Sequence, residues 1–177
     1  MPFWKKSTPS TDHPKMKTIA YRGGIVTFRI PTHWREEYSD TDGGMFYEEH
    51  PDSGTLRLTI ITMTVPEQRQ ETSALDVLRV VVNGLAKDGV EGTTNSRQDG
   101  NAVFRYEQAS SEGGTRLAIF YWVVANPVPP NHARVATFSY TILAKHRKLP
   151  RVQHDLKMLD AEIDAASFLP ELGVVAG

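Results

Sequence analysis

The densest run of chemistry-bearing side chains is Lys145-His146-Arg147-Lys148, followed by Arg151. Pro150 marks this as the start of a helix, where partial positive charge and unpaired amides add to the cations. Together they suit the binding of a phosphate, a carboxylate or an acidic protein surface. Each cation there also costs the helix about 0.3 to 1 kcal/mol at low salt. Asp160, Glu162 and Asp164 further along place negative charge where the dipole again disfavours it, so the charge order opposes the dipole. An exposed loop whose charges are screened over about 8 to 10 Å is the plainer account of the same residues. His33-Trp34 form a second candidate, able to line a pocket after a strand, although a tryptophan in that place more often plugs the end of a sheet. Glu48 and His50 share a strand face at a spacing a metal can use, with no further clustered ligand. His132, His146 and His154 lack the short paired spacings of zinc sites, so no metal is expected. There is no Gly-x-Ser-x-Gly elbow, and Ser110-Ser111 sits in a turn. Neither a phosphate-cradling lysine loop nor Gly-x-Gly-x-x-Gly occurs, so no catalytic residue and no cofactor are expected.

Several elements must position these groups. Val26, Phe28 and Ile30 alternate with Thr27 and Arg29, which predicts a strand from Ile25 to Ile30 ended by Pro31. Met45–His50 and Thr55–Val65 flank Pro51-Asp52-Ser53-Gly54, a hairpin signal with Gly54 expected in the left-handed bulge position. The second of these strands is rich in Ile and Thr on both faces and is expected inside the sheet. From Ser73 the period changes. Leu75, Leu78, Val82 and Leu85 stack on one face of a helix, Ser73 and Asp76 form its capping pair, and Gly89 stops it. Strands then follow over 93–98, 102–109, 115–125 and 133–145 as an antiparallel meander, with a stiff link at Asn126 to Asn131. A last helix from Pro150 carries Val152, Leu156, Leu159, Ile163 and Ala166 on one stripe and ends near Phe168.

Leu117 to Val124 is apolar on both faces, so each side of the sheet needs a cover. Two amphipathic helices supply it. The expectation is an α+β fold, a three-layer α/β/α sandwich with a central, mainly antiparallel sheet flanked by two helices. The domain is expected over 19–169, with a flexible arm at 1–18 and a tail at 170–177. Phe3 and Trp4 beside Lys5 and Lys6 in that arm are too few for a membrane anchor.

A chain of 177 residues is able to bury roughly 70 % of its unfolded surface in one core without staples. Hydrophobic residues make up 40 % and charged residues 23 %, with a net charge of -1. Such a balance belongs to a folded domain and offers no field to attract a polyanion, so a nucleic-acid partner is not expected. The absence of cysteine excludes disulfides and thiolate chemistry. No run approaches the roughly 20 apolar residues that span a bilayer. With no signal-peptide core at 1–17, a cytoplasmic location is the expectation.

Phe28-Arg29-Ile30-Pro31-Thr32-His33-Trp34 resembles the "strand, Pro, two residues, Trp" opening of the PsbP-like superfamily. That group includes the PsbP subunit of photosystem II, a Ran-binding import factor and bacterial DcrB-like proteins. The element order from Ile25 to Phe168 is similar to its α/β/α sandwich. The resemblance implies non-catalytic work: docking onto a GTPase, capping a membrane complex, or chaperoning secreted effectors. No partner-contact residue carries over, and the leader or lipid-anchor cysteine of exported relatives is not seen. The functional expectation is thus a non-enzymatic protein-binding or adaptor domain. A small-molecule binder or enzyme with a pocket near Trp34 and a DcrB-like chaperone are the alternatives.

Overall fold

The computed structural model describes residues 13–65 and 73–172. Phe3, Trp4 and most of the expected arm and tail lie outside these residues. The α+β class holds, with every strand pairing antiparallel. The strands, however, form two sheets. A seven-stranded sheet has the order β3-β4-β5-β9-β8-β7-β6, and a three-stranded sheet the order β1-β2-β10.

In chain order the elements are β1 (Met16–Tyr21), β2 (Val26–Pro31), β3 (Arg35–Ser39), β4 (Gly43–Tyr47), β5 (Thr55–Thr64) and α1 (Ala74–Lys87). They continue with β6 (Gly92–Ser96), β7 (Ala102–Glu112), β8 (Thr115–Val128), β9 (His132–Leu143), α2 (Pro150–Asp164) and β10 (Ser167–Phe168). β1 was not expected, and Met16 to Thr18, assigned above to the arm, pair with Pro31 to Arg29. α2 also stops earlier than its apolar stripe implies. Ser167 and Phe168 instead pair with Thr27 and Val26 of β2.

Side chains alternating along each strand sort into two cores. One holds Leu56, Leu58, Trp122, Phe138 and Tyr140 of the large sheet beneath Phe28 and Ile30 of β2 and Val152, Leu159 and Ile163 of α2. The opposite face carries the other, where Ala74, Val77 and Leu78 of α1 pack on Phe104, Val123, Ala125 and Val135. The buried stripe of α1 is rotated from the expected one, and Leu75 stays 41 % exposed. Ser73 caps α1 as its sequence predicts, its side chain accepting the Asp76 amide while Asp76 accepts the Ser73 amide. Gly89, at φ +76°, ends it. Gly54 is not left-handed. A β-carbon there would stand 2.4 Å from the Tyr140 ring, so close approach, not backbone conformation, requires glycine.

Candidate functional site

The expected basic patch is largely spent on carboxylates of the sheet. Arg147 Nε donates to Glu107 Oε1 at 2.7 Å, and its guanidinium lies 5.8 Å from the Phe120 ring. His146 Nε2 is 3.5 Å from Asp52 Oδ1, and Arg151 binds Glu48. Lys145 and Lys148 remain exposed, with no ion pair among the described residues. Hydrogen bonding and charge from Glu107 hold the Arg147 guanidinium above its ordinary pKa, and Glu48 does the same for Arg151.

The later acids of α2 are matched as well. Glu162 takes two hydrogen bonds from Arg29 of β2. Arg105 of β7 reaches Asp160 and Asp164, and Asp160 also accepts from the Trp122 indole. The inverted charge order of α2 is therefore a match to the strands beneath it: cations over Glu48 and Glu107, acids over Arg29 and Arg105. Arg97 completes the fit by donating to the carbonyls of Ile163 and Ala166, at the end of α2.

Arg151 and His33, separate candidates in the sequence, meet at Glu48, where His33 Nε2 stands 3.4 Å from Oε2. Between them lies a cleft of about 250 Å³ lined by Pro31, His33, Trp34, Glu48, Arg151, His154 and Asp155. Trp34 is 2 % exposed and stacks on Tyr140 at 6.3 Å and 7°. It forms part of the wall, and its carbonyl accepts Lys17 Nζ. Tyr140 donates to Asp155 Oδ2 at 2.9 Å and accepts the Gly54 amide at 3.0 Å. Burial raises the Tyr140 hydroxyl well above the tyrosine range, and it also raises the Asp155 carboxyl. Burial acts on Glu48 in the same sense, but the Arg151 hydrogen bond and charge outweigh it and hold Glu48 below the carboxylate range.

Asp155 was missed, although its position three residues after Val152 sets it on the apolar stripe of α2, a signal the sequence contains. Tyr140 and Asp155 hold their protons well, but small-molecule sites occupy roughly 300 to 1,000 Å³, and this cleft is smaller. His50 serves the turn, its Nδ1 accepting the Asp52 amide. Among the described residues no group of three or more His, Asp or Glu side chains gathers closely enough for a metal.

A larger feature lies on the opposite side of the sheet. α1 packs against β7 and β8, and the face of the large sheet beyond it has no cover among the described residues. Strand register places Tyr106, Tyr121, Ser139, Arg57, Met45 and Glu37 in one row across that face. Ile119, Thr141, Thr55, Tyr47 and Arg35 form the next. Phe104, Tyr106 and Tyr121 stack successively at 5.3 and 4.4 Å, carrying an aromatic ladder from beneath α1 into the open. Burial against its neighbours pushes the Tyr106 hydroxyl up to about 12. Ile61 is 58 % exposed. The expectation that both sides of the sheet are sheltered is thus met only in part on this side, because a helix of 14 residues is too short to roof a sheet seven strands wide whose four central strands run to 10 to 14 residues.

No family model matches this sequence, and no curated protein does. Among solved structures, a Bacteroides thetaiotaomicron protein matches at 13 % identity and a TM-score of 0.59, over 86 % of this chain and 48 % of that one. This chain thus spans about half the length of that relative. LpqN of Mycobacterium tuberculosis, involved in cell envelope biogenesis, matches at 16 % identity and a TM-score of 0.60, over 90 % and 93 % of the two chains. CyanoP of Synechocystis covers 92 % and 98 % at 13 % identity, with a TM-score of 0.39 that carries no argument. At these identities the first two show a shared fold alone.

Proposed function

We propose that this domain is a non-enzymatic protein-binding adaptor that receives its partner on the open face of the seven-stranded sheet. The composition of that face carries the reading. Tyr47, Tyr106, Tyr121, Met45 and Ile119 lie among threonines, with Arg35 and Arg57 the basic residues, Glu37 the single acid and no lysine in the rows described above. Aromatics, Met and Arg are the residues enriched at protein interfaces, whereas Lys, Asp and Glu are depleted. These five side chains are half-buried, and Ile61 on the same face is 58 % exposed, so a partner can cover apolar surface there.

Arg57 defines the chemistry of the partner. It is exposed at the middle of the face, between Ser139 and Met45, with no carboxylate in ion-pair range among the described residues. A protein surface that brings one acidic group to Arg57, inside an apolar patch covering the tyrosines, is complementary to it. A secreted effector held by a DcrB-like chaperone would be one such partner. We further read the arrangement as a three-layer α/β/α sandwich whose α1 layer is incomplete, in a cytoplasmic protein. The Trp34 cleft is a weaker candidate because of its size.

A photo-crosslinking residue in place of Ser139, compared with one in place of exposed His154 on α2, tests the proposal in the native host. One protein should crosslink through position 139, and Arg57→Glu should abolish the adduct at an unchanged melting temperature. No adduct at 139, or the same adduct from 154, would overturn it.

A further inference from the structure

The open face of the large sheet is not flat. Strand register sets Ser139 and Arg57 between Tyr121 and Met45 in one row, and Thr141 and Thr55 between Ile119 and Tyr47 in the next. Thr137 and Thr59 continue the same two strands, followed on β5 by exposed Ile61. Apart from Arg57, β9 and β5 thus present short hydroxyl side chains along these rows, while the strands on either side carry larger groups. A trough results, floored by β9 and β5 and walled by Tyr121 and Ile119 on β8 and by Met45 and Tyr47 on β4. Its walls stand three strand spacings apart, about 14 Å. Beside Arg57 the β4 side opens into a hollow of about 570 Å³ lined by Asp42, Gly43, Met45 and Thr59.

We propose, and this rests on the adaptor reading, that the partner fills the trough with one amphipathic α-helix laid along β9 and β5, an acidic residue over Arg57. A helix with its side chains is about 10 to 12 Å across, so its lower face fits between the walls and the small floor residues let it come close. A second sheet packed flat would rest on the walls and leave the trough and the hollow empty, against the close packing of protein contacts. An extended strand on this face would bring its backbone amides to side chains instead of to a sheet edge, leaving most of them unpaired. From Thr55 to Ile61 the floor runs about 20 Å, the length of roughly 13 helical residues. Arg57 and Ile61 lie four residues apart on β5, about 13 Å, which a helix spans in about eight residues. The helix that fits therefore carries an apolar residue over Ile61, an acid seven or eight positions away on the same face over Arg57, and apolar residues between them at the third or fourth position.

A photo-crosslinking residue in place of Thr59, beside the one in place of Ser139, tests this in the native host when the crosslinked peptides are sequenced. The adducts should fall within one segment of the partner, at positions three, four or seven residues apart. A synthetic peptide of that segment should bind the full chain, lose at least tenfold in affinity to Arg57→Glu, and regain it when its own acid is replaced by lysine. Adducts at every second residue or scattered over several segments would overturn the helix and leave the adaptor proposal standing, as would a charge swap that recovers nothing. Absence of any adduct at 139 would overturn both.

Discussion

Asp155 and Glu48 line one small cleft, yet their surroundings move them in opposite senses. Asp155 is raised by burial, so its contribution to stability is complete below the ordinary carboxylate range and is lost as pH climbs through its folded value. Glu48 is held down by Arg151 against its own burial, so its contribution is present above that range and is lost as pH falls through its folded value. Urea denaturation between about pH 3 and pH 7 separates the two. Asp155→Asn should gain stability relative to wild type as pH rises, whereas Glu48→Gln should lose it. Parallel curves for wild type and Asp155→Asn would show that the Asp155 environment is not what burial implies. Tyr140→Phe should cost about 1 to 3 kcal/mol, because it strips the Gly54 amide of its acceptor and Asp155 of its donor. A urea midpoint equal to that of wild type would contradict the buried network. Of these residues His33 and Arg151 were legible from their types, but their meeting at Glu48 joins positions 33, 48 and 151. No local spacing encodes that meeting.

The charges of α2 make sense only as one half of a contact. Taken alone, a helix with cations before it and acids in its last turns is poorly arranged. Placed over Glu48, Glu107, Arg29 and Arg105, it is complementary to its sheet. The two accounts differ in sign for one substitution. If the dipole governed, Glu162→Arg would stabilise the helix end. Because Glu162 is bound to Arg29, the substitution should instead lower stability, though only slightly since Arg29 is largely exposed. Adding Arg29→Glu should recover the loss. A double-mutant cycle by chemical denaturation reads this directly, and stabilisation by Glu162→Arg alone would refute the pairing account.

The C-terminal end of the described residues is tied to the large sheet through one buried cation. Arg134 is 1 % exposed and has no carboxylate partner among the described residues. Its guanidinium donates to Asn126 Oδ1, to the Leu169 carbonyl at 2.6 Å and to the Glu171 carbonyl, and burial lowers its pKa. Arg134→Met should therefore release the segment after β10. Hydrogen exchange at Leu169 to Leu172 should rise well beyond any change in the β8–β9 core, and equal protection in the variant would show that the segment is held by other means. The sequence by itself determined the period of each long element, the capping of α1, the interior place of β5 and the α+β class, because apolar spacing, cap residues and turn residues act over a few positions. Only the tertiary structure decided that the strands divide between two sheets, that β10 follows α2, that α1 leaves half a sheet face open, and which cation meets which acid. Those outcomes depend on the size of one element against another and on pairings between residues as far apart as 29 and 162, for which a linear pattern holds no coordinate.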